Sequence, residues 1–396
     1  MRVILGKKEF ALIEQVTNSL LSFLAIRMIY SQNELREIAL VGITIVFAYS
    51  CSGLLRSRFV YPLYEDFADT HEGKKYNFMP ILKAVVPKYF IAFTLVFSIY
   101  FEFNDGITDR LRFELAALMC SIVLLDFQRS FLQLNSKYFL AISTNILSIC
   151  LLLILAGINS AAEVSSTGVQ TLDLWIVSNL LASGFITSIS KRNNMGSALS
   201  PLADITKNFK KIRNISTIES FLSRGLQLIG TAILLRISEQ EAAHLTIGLF
   251  IYSTIPFSIL NGLSPYYLRN RRIVEGNLSF SKYFSLISFG MSIFPCLSLI
   301  SPKSLDFVFG SSSQIPQLVV LFVLLMVIQK THESAKSLDF MIGTSPKWYM
   351  LTKLIIMVNL YLIGPILLGM GFALLANLIL LVVTLGQVIV MKGRKC

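Results

Sequence analysis

Apolar stretches of about 17 to 25 residues follow one another along this chain of 396 residues, and they constrain its fold more than any other feature. A helix rises about 1.5 Å per residue, so about 20 apolar residues cross the hydrocarbon core of a bilayer. Within that core every backbone N–H and C=O must find a partner inside the protein, and a continuous helix satisfies them all within one segment. The stretches fall at 10–29, 38–56, 84–101, 112–128, 138–157, 171–190, 215–236, 243–264, 281–300, 315–331, 346–365 and 368–390. The last two are separated by a turn containing glycine, proline and methionine near Gly364–Gly371. Charged residues make up only 15% of the chain, against about 25% in soluble domains. The expected class is all-α, a polytopic membrane protein of about 12 transmembrane helices.

The formal net charge of +12 does not gather into one patch of the kind that binds nucleic acid. The lysines and arginines sit in short loops, and with the N-terminus inside, the outer side receives only Arg36, Arg110, Arg112, Arg236 and Lys303. Glu34, Glu37, Glu102, Asp105, Asp109, Glu163, Glu239 and Glu241 collect on that outer side. Both termini are therefore expected in the cytoplasm. The first apolar stretch is too long for a removable signal peptide and carries Glu14 and Asn18, so it is expected to stay as a membrane helix. Cys51, Cys120, Cys150, Cys296 and Cys396 are scattered, and the histidines are His71, His244 and His332. That pattern offers neither a disulfide framework nor a zinc site. No HExxH, G-x-S-x-G or P-loop occurs, and the loops are too short for a nucleotide-binding domain. The chain is read as a non-enzyme without a cofactor.

The basic connection KRNNMGSALSPLADITKNFKKIRN divides six stretches from six. It defines an N-terminal bundle (1–190), a linker (191–214) suited to lie on anionic headgroups, and a C-terminal bundle (215–396). Three echoes suggest that the halves are repeats. Pro62-Leu63-Tyr64 matches Pro265-Tyr266-Tyr267, and Lys88-Tyr89-Phe90 matches Lys282-Tyr283-Phe284. The third echo is a polar stripe. In the first span Glu14, Asn18 and Ser22 recur every fourth residue, on one helical face; in the seventh, Glu219, Ser223, Gln227 and Thr231 do the same. Six spans per half put both repeats in the same orientation, a parallel repeat about an axis along the membrane normal. Two pseudo-repeat bundles around a central cavity follow, with one striped wall from each.

Ionisable residues inside a membrane cost several kcal/mol unless compensated, so they mark a pathway or a pair. Arg224 falls near the middle of its span beside the second stripe, either as a cavity-lining cation or as a partner of Glu219. Lys353, with Asn359 beyond it, either lines the cavity or snorkels to the cytoplasmic interface, and Arg27 snorkels at the outer end of its helix. Glu14 and Glu219 either bind a coupling H+ or Na+ or hold nearby basic side chains. Asp126 and Arg129 are spaced as a local ion pair, while Asp173 and Glu114 sit at outer ends, positions that can face water.

Glu14-Gln15 and Asn18 in the first span, Ala25-Ile26-Arg27 near its end and Pro62-Leu63 after the second resemble the opening of bacterial polysaccharide flippases. These belong to the multidrug/oligosaccharidyl-lipid/polysaccharide flippase superfamily. The motif resemblance covers about the first 65 residues; Asn33-Glu34-Leu35-Arg36 stands where the family commonly has an acidic-Phe-Gly turn, and Ile26 stretches its Ala-Arg. The resemblance implies alternating access in the bacterial inner membrane and an undecaprenyl-diphosphate-linked oligosaccharide as cargo, with polysaccharide polymerases as partners. Arg224 and Lys353 would then serve the diphosphate, Asn18, Ser22, Ser223, Gln227 and Thr231 the sugar hydroxyls, and Arg27, if it does not snorkel, would join the substrate site. The alternatives are a cation-coupled exporter of drugs or organic cations, in which Glu14 and Glu219 would dominate, and a membrane assembly protein without transport.

Overall fold

In a computed structural model, residues 7–30, 35–60, 63, 79–102, 107–161, 168–192, 210–249, 315–341 and 349–392 are described. The described residues are helical apart from short turns. The order is α1 (Lys7–Tyr30), α2 (Leu35–Leu55) running into a π turn (Arg56–Val60), α3 (Met79–Glu102), α4 (Asp109–Leu134), α5 (Tyr138–Ala161) and α6 (Gly168–Arg192). Then come α7 (Lys210–Ile237), α8 (239–249), α9 (Gln317–Met341), α10 (Tyr349–Val358), a second π turn (Asn359–Ile363), α11 (Gly364–Gly369) and α12 (Ala373–Lys392). Four stretches among the described residues are long and apolar enough to cross a membrane: Arg36–Val60, Asp109–Leu134, Tyr138–Gly157 and Leu172–Ile189. The expected ninth span, 281–300, most of the eighth, and the Pro265 and Lys282 echoes lie outside the described residues.

The chain divides into two compact units, one built mainly from α1 to α6 and the other mainly from α7 to α12 together with Glu34–Ile43. In the first, α6 packs along α4 and α5, and α1 packs along α5 and α6. Small side chains make this close approach possible: Ala141, Thr144 and Ser148 of α5 and Ser178, Ala182 and Ser183 of α6 are all buried. In lipid the hydrophobic effect cannot drive helices together, so close van der Waals packing at small residues carries the association. Large apolar residues instead face outward; Phe113, Phe139, Ile146, Leu153, Leu180 and Leu181 are exposed. On a soluble protein such a surface would be a liability, whereas acyl chains cover it here.

The turn between α4 and α5 takes only Asn135 to Lys137, with Ser136 in the left-handed region (φ 56°). At its other end α4 is capped by Thr108, whose Oγ1 accepts from the Leu111 N–H at 3.3 Å.

The second unit meets at glycines. A Cβ at Gly230 would overlap the Tyr361 carbonyl oxygen, one at Gly364 would lie 2.7 Å from Cε2 of Phe322, and one at Gly369 would lie 2.9 Å from Leu234. These positions join α7 to the α10–α11 segment and α9 to α11. The Asn377 amide ties α12 to α9 by donating to the Leu318 carbonyl at 3.0 Å.

The break between the last two expected spans falls later than Gly364. Gly364-Pro365 lies inside a helical run, because the π turn before it changes the hydrogen-bond register; the Gly364 N–H reaches the Asn359 carbonyl. The chain turns at Met370–Phe372, where Gly371 (φ 81°) and Phe372 donate to the Leu368 and Leu367 carbonyls at 3.0 and 2.8 Å. Glycine reaches this left-handed backbone without the steric cost another residue would meet.

Candidate functional site

Four polar stripes converge in the first unit. α1 contributes Glu14, Asn18 and Ser22; α2 with its π turn contributes Tyr49, Ser52 and Arg56; α4 contributes Asp126, Arg129 and Gln133; α6 contributes Trp175 and Asn179. Each set recurs at three- or four-residue intervals, so each lies on one helical face. α5 adds Asn145.

The centre of the network is Glu14, wholly buried at 0% exposure, facing Arg129 at 2%. Arg129 Nε donates to Glu14 Oε1 at 2.8 Å and Nη2 donates to the same oxygen. The other oxygen, Oε2, accepts from Gln133 Nε2 at 2.7 Å and Gln15 Nε2 at 2.9 Å. Backbone and side chain are held together, since Asn145 Nδ2 donates to the Glu14 carbonyl at 3.0 Å and lies 3.1 Å from Thr17 Oγ1. Charge-assisted bonds of this kind offset the cost of taking both ions out of water.

The charges continue outward from this pair. Arg129 Nη1 stands 3.8 Å from Asp126 Oδ1, and Asp126 Oδ2 stands 3.6 Å from Arg56 Nε and accepts from Ser52 Oγ. Two carboxylates thus alternate with two guanidinium groups, and the chain of four is neutral overall. The expected Asp126–Arg129 pair exists but is the looser contact: Arg129 turns its main hydrogen bonds to Glu14 on another helix. Glu14 thus accepts from a basic side chain of another helix, Arg129.

Beside this chain lies a cavity of about 20 Å³, lined by Asn18, Ser22, Tyr49, Asp126, Arg129, Trp175 and Asn179 among others. That volume accommodates about one water molecule and is too small for an organic cargo. Ser22 and Tyr49 share a hydrogen bond at 3.5 Å on its wall. Asn179 donates to Ser121 Oγ at 3.2 Å, while its buried Oδ1 has no donor among the described residues. The cavity is therefore lined by hydroxyl, amide and carboxylate residues beside a compensated ion pair, a setting for a water or a small cation. Among the described residues no group of three or more His, Cys, Asp or Glu side chains could hold a metal ion.

The remaining sequence candidates divide between the units. Gln227 is buried on α7, where Thr231 Oγ1 donates to its carbonyl at 2.8 Å. Lys353 is 5% exposed on α10. The side chains of Glu219, Ser223 and Arg224 lie outside the described residues, although α7 runs through all three. Arg27 is exposed near the end of α1. Glu114 departs from its expected water-facing position: it is buried and accepts from Arg110 Nε at 2.8 Å, whereas Asp173, half exposed, lies 3.8 Å from Arg110 Nη2.

Residue order alone did not bring forward Tyr49, Ser52, Arg56, Gln133, Asn145 or Asn179. The same periodicity that reveals the α1 stripe was available in 49/52/56 and in 126/129/133, while Asn145 and Asn179 stand singly in apolar text. Asn145→Leu removes both donations into α1 and should cost about 1–3 kcal/mol, checked as a lowered unfolding temperature of the purified protein.

No protein-family model matches the chain, and no curated protein matches it. Solved structures do. One is the outward-facing conformation of a multidrug resistance MATE family transporter of the MOP superfamily, 12% identical, covering 98% of this chain and 97% of that one with a TM-score of 0.59. Another is a MOP superfamily transporter from Pyrococcus furiosus whose reversed binding-pocket polarity suggests a different function, at 13% identity, the same two coverages and a TM-score of 0.59. A third is the eukaryotic MATE transporter AtDTX14, 13% identical over 97% of this chain and 95% of that one, with a TM-score of 0.52. With nearly the whole chain aligned at such low identity, the likeness is one of architecture: this multi-pass helical membrane protein has the fold of the MATE transporters of the MOP superfamily.

Proposed function

We propose that the chain is a membrane transporter working by alternating access, an exporter of organic molecules like the multidrug transporters whose fold it shares. The observation that carries this reading is the match of fold over nearly the whole of both chains. Transport by H+ or Na+ coupling fits the small cavity, which Asp126 and Asn179 line beside the Glu14–Arg129 pair. On this proposal Glu14 acts as the anchor of Arg129, and Glu219 is the second-half candidate for coupling. The protein would sit in the bacterial inner membrane with both termini in the cytoplasm.

A second reading, a flippase for undecaprenyl-diphosphate-linked oligosaccharide, draws on one feature of the site. Glu14 and Asp126 are each matched by a guanidinium, so the polar centre of the first unit has no net negative charge to attract an organic cation. Lys353, buried in the second unit, together with Arg224 and Arg27, would serve a diphosphate, and Asn18, Ser22, Ser223 and Gln227 would serve sugars. Polysaccharide polymerases would be the partners downstream.

Cells lacking the protein decide between the two. Reduced tolerance to organic cations, restored by the wild-type chain and not by Glu219→Gln, supports the exporter. Loss of surface polysaccharide with unchanged drug tolerance, not restored by Arg224→Ala or Lys353→Ala at normal expression, replaces it with the flippase. If neither property changes, both transport readings fall and the non-transporting assembly role stands.

A further inference from the structure

The second unit contains a break that neither reading of its cargo uses. α10 passes into the π turn Asn359–Ile363, and Gly364-Pro365 follows at once. Pro365 has no N–H, so the α-type bond to the Tyr361 carbonyl cannot form; the Gly364 N–H, one residue earlier, already bonds in the wider register to Asn359. The helical ladder is therefore interrupted at one level by two separate causes, and interruptions of this kind are where helices bend.

The two arms on either side of the break are held differently. α11 lies along α12, and its last residue, Gly369, sits against Leu234 and Ile237 of α7. Among the described residues α10 touches α12 only lightly; its Leu354 and Ile355 are exposed, while Lys353, Ile356 and Met357 are buried on its other face. At the break itself the neighbouring helix offers Gly230, whose Cα rests against the Tyr361 carbonyl, while Gly364 rests on the Phe322 ring. Both contacts involve a glycine, so one backbone can roll on its neighbour without side chains interlocking.

We propose that the π turn Asn359–Ile363 is a hinge about which α10 swings relative to α11, with Gly230 of α7 as its fulcrum. Lys353 rides on the moving arm, six residues before the turn, so the swing carries this buried cation with it. The hinge stands whatever the cargo is, because it is built from the backbone ladder and the glycine contacts alone.

The test uses the full-length chain in lipid nanodiscs, with native cysteines replaced by alanine and spin labels placed at cysteines introduced at exposed leucines. One pair, Leu354 with Leu374, spans the hinge; a control pair, Leu318 with Leu385, joins α9 to α12. The expected result is a distance distribution across the hinge at least about twice as broad as the control, narrowing to the control width in Pro365→Ala, which restores the missing N–H. A hinge pair as narrow as the control overturns the proposal. So does a breadth that Pro365→Ala leaves unchanged. If Pro365→Ala does not yield folded protein, the comparison of the two pairs in the otherwise native chain decides.

Discussion

Arg129→Ala should lower the stability of the protein by about 3–5 kcal/mol, the usual cost of breaking one side of a buried ion pair. The substitution removes both guanidinium donors from Glu14 Oε1 and leaves a carboxylate at 0% exposure with, among the described residues, the Gln15 and Gln133 amides. Glu14→Gln should cost less, because the arginine keeps Asp126 at 3.8 Å and an amide oxygen can still accept. Replacing both partners by apolar residues of similar size, Glu14→Leu with Arg129→Met, should recover much of the loss, since neither charge then remains to be compensated. Thermal unfolding of the purified chain in detergent or lipid measures all three. An Arg129→Ala protein that unfolds with the wild type would show that the pair contributes nothing to stability.

The next largest effect is expected at Gly230. The Cβ of Gly230→Ala would overlap the Tyr361 carbonyl oxygen and lie 2.7 Å from the carbonyl carbon. Both atoms belong to the backbone, so no rotamer change can make room and α7 must shift away from the π turn. Overpacking of this sort costs about 1–3 kcal/mol, and about 3 kcal/mol or more is expected where the obstacle is main chain. Gly225→Ala on the same helix meets nothing within 4 Å among the described residues. It should be neutral, or stabilise by up to about 1 kcal/mol through the better helix propensity of alanine. The contrast separates a helix-propensity effect from a packing one, and equal unfolding temperatures for the two variants would refute the close approach.

The position of the described helices was legible because bilayer thickness sets a length and the apolar runs report where it is met. The runs at 112–128 and 138–157 lie within α4 and α5, which extend beyond them into polar text such as Gln133 and Asn159. There the hydrophobic signal ends before the backbone ladder does. The turn expected near Gly364–Gly371 falls at the late end of that interval, at Met370–Phe372, for a related reason. Glycine and proline usually stop a helix, but a π turn shifts the register by one residue and lets this helix continue to Gly369. The burial of Glu114 was not legible, because a position near a helix start says nothing of what packs over it.

What residue order determined by itself was the helical membrane class of the protein and the polar face of α1, since each depends on spacing along one helix. What only the tertiary structure decided was the use of that face. Arg129 lies 115 residues from Glu14 and three from Asp126, and local spacing favoured the nearer acid. Helix packing placed the more distant one in better hydrogen-bonding geometry and farther from water. In a medium of low dielectric those two factors outweigh proximity along the chain.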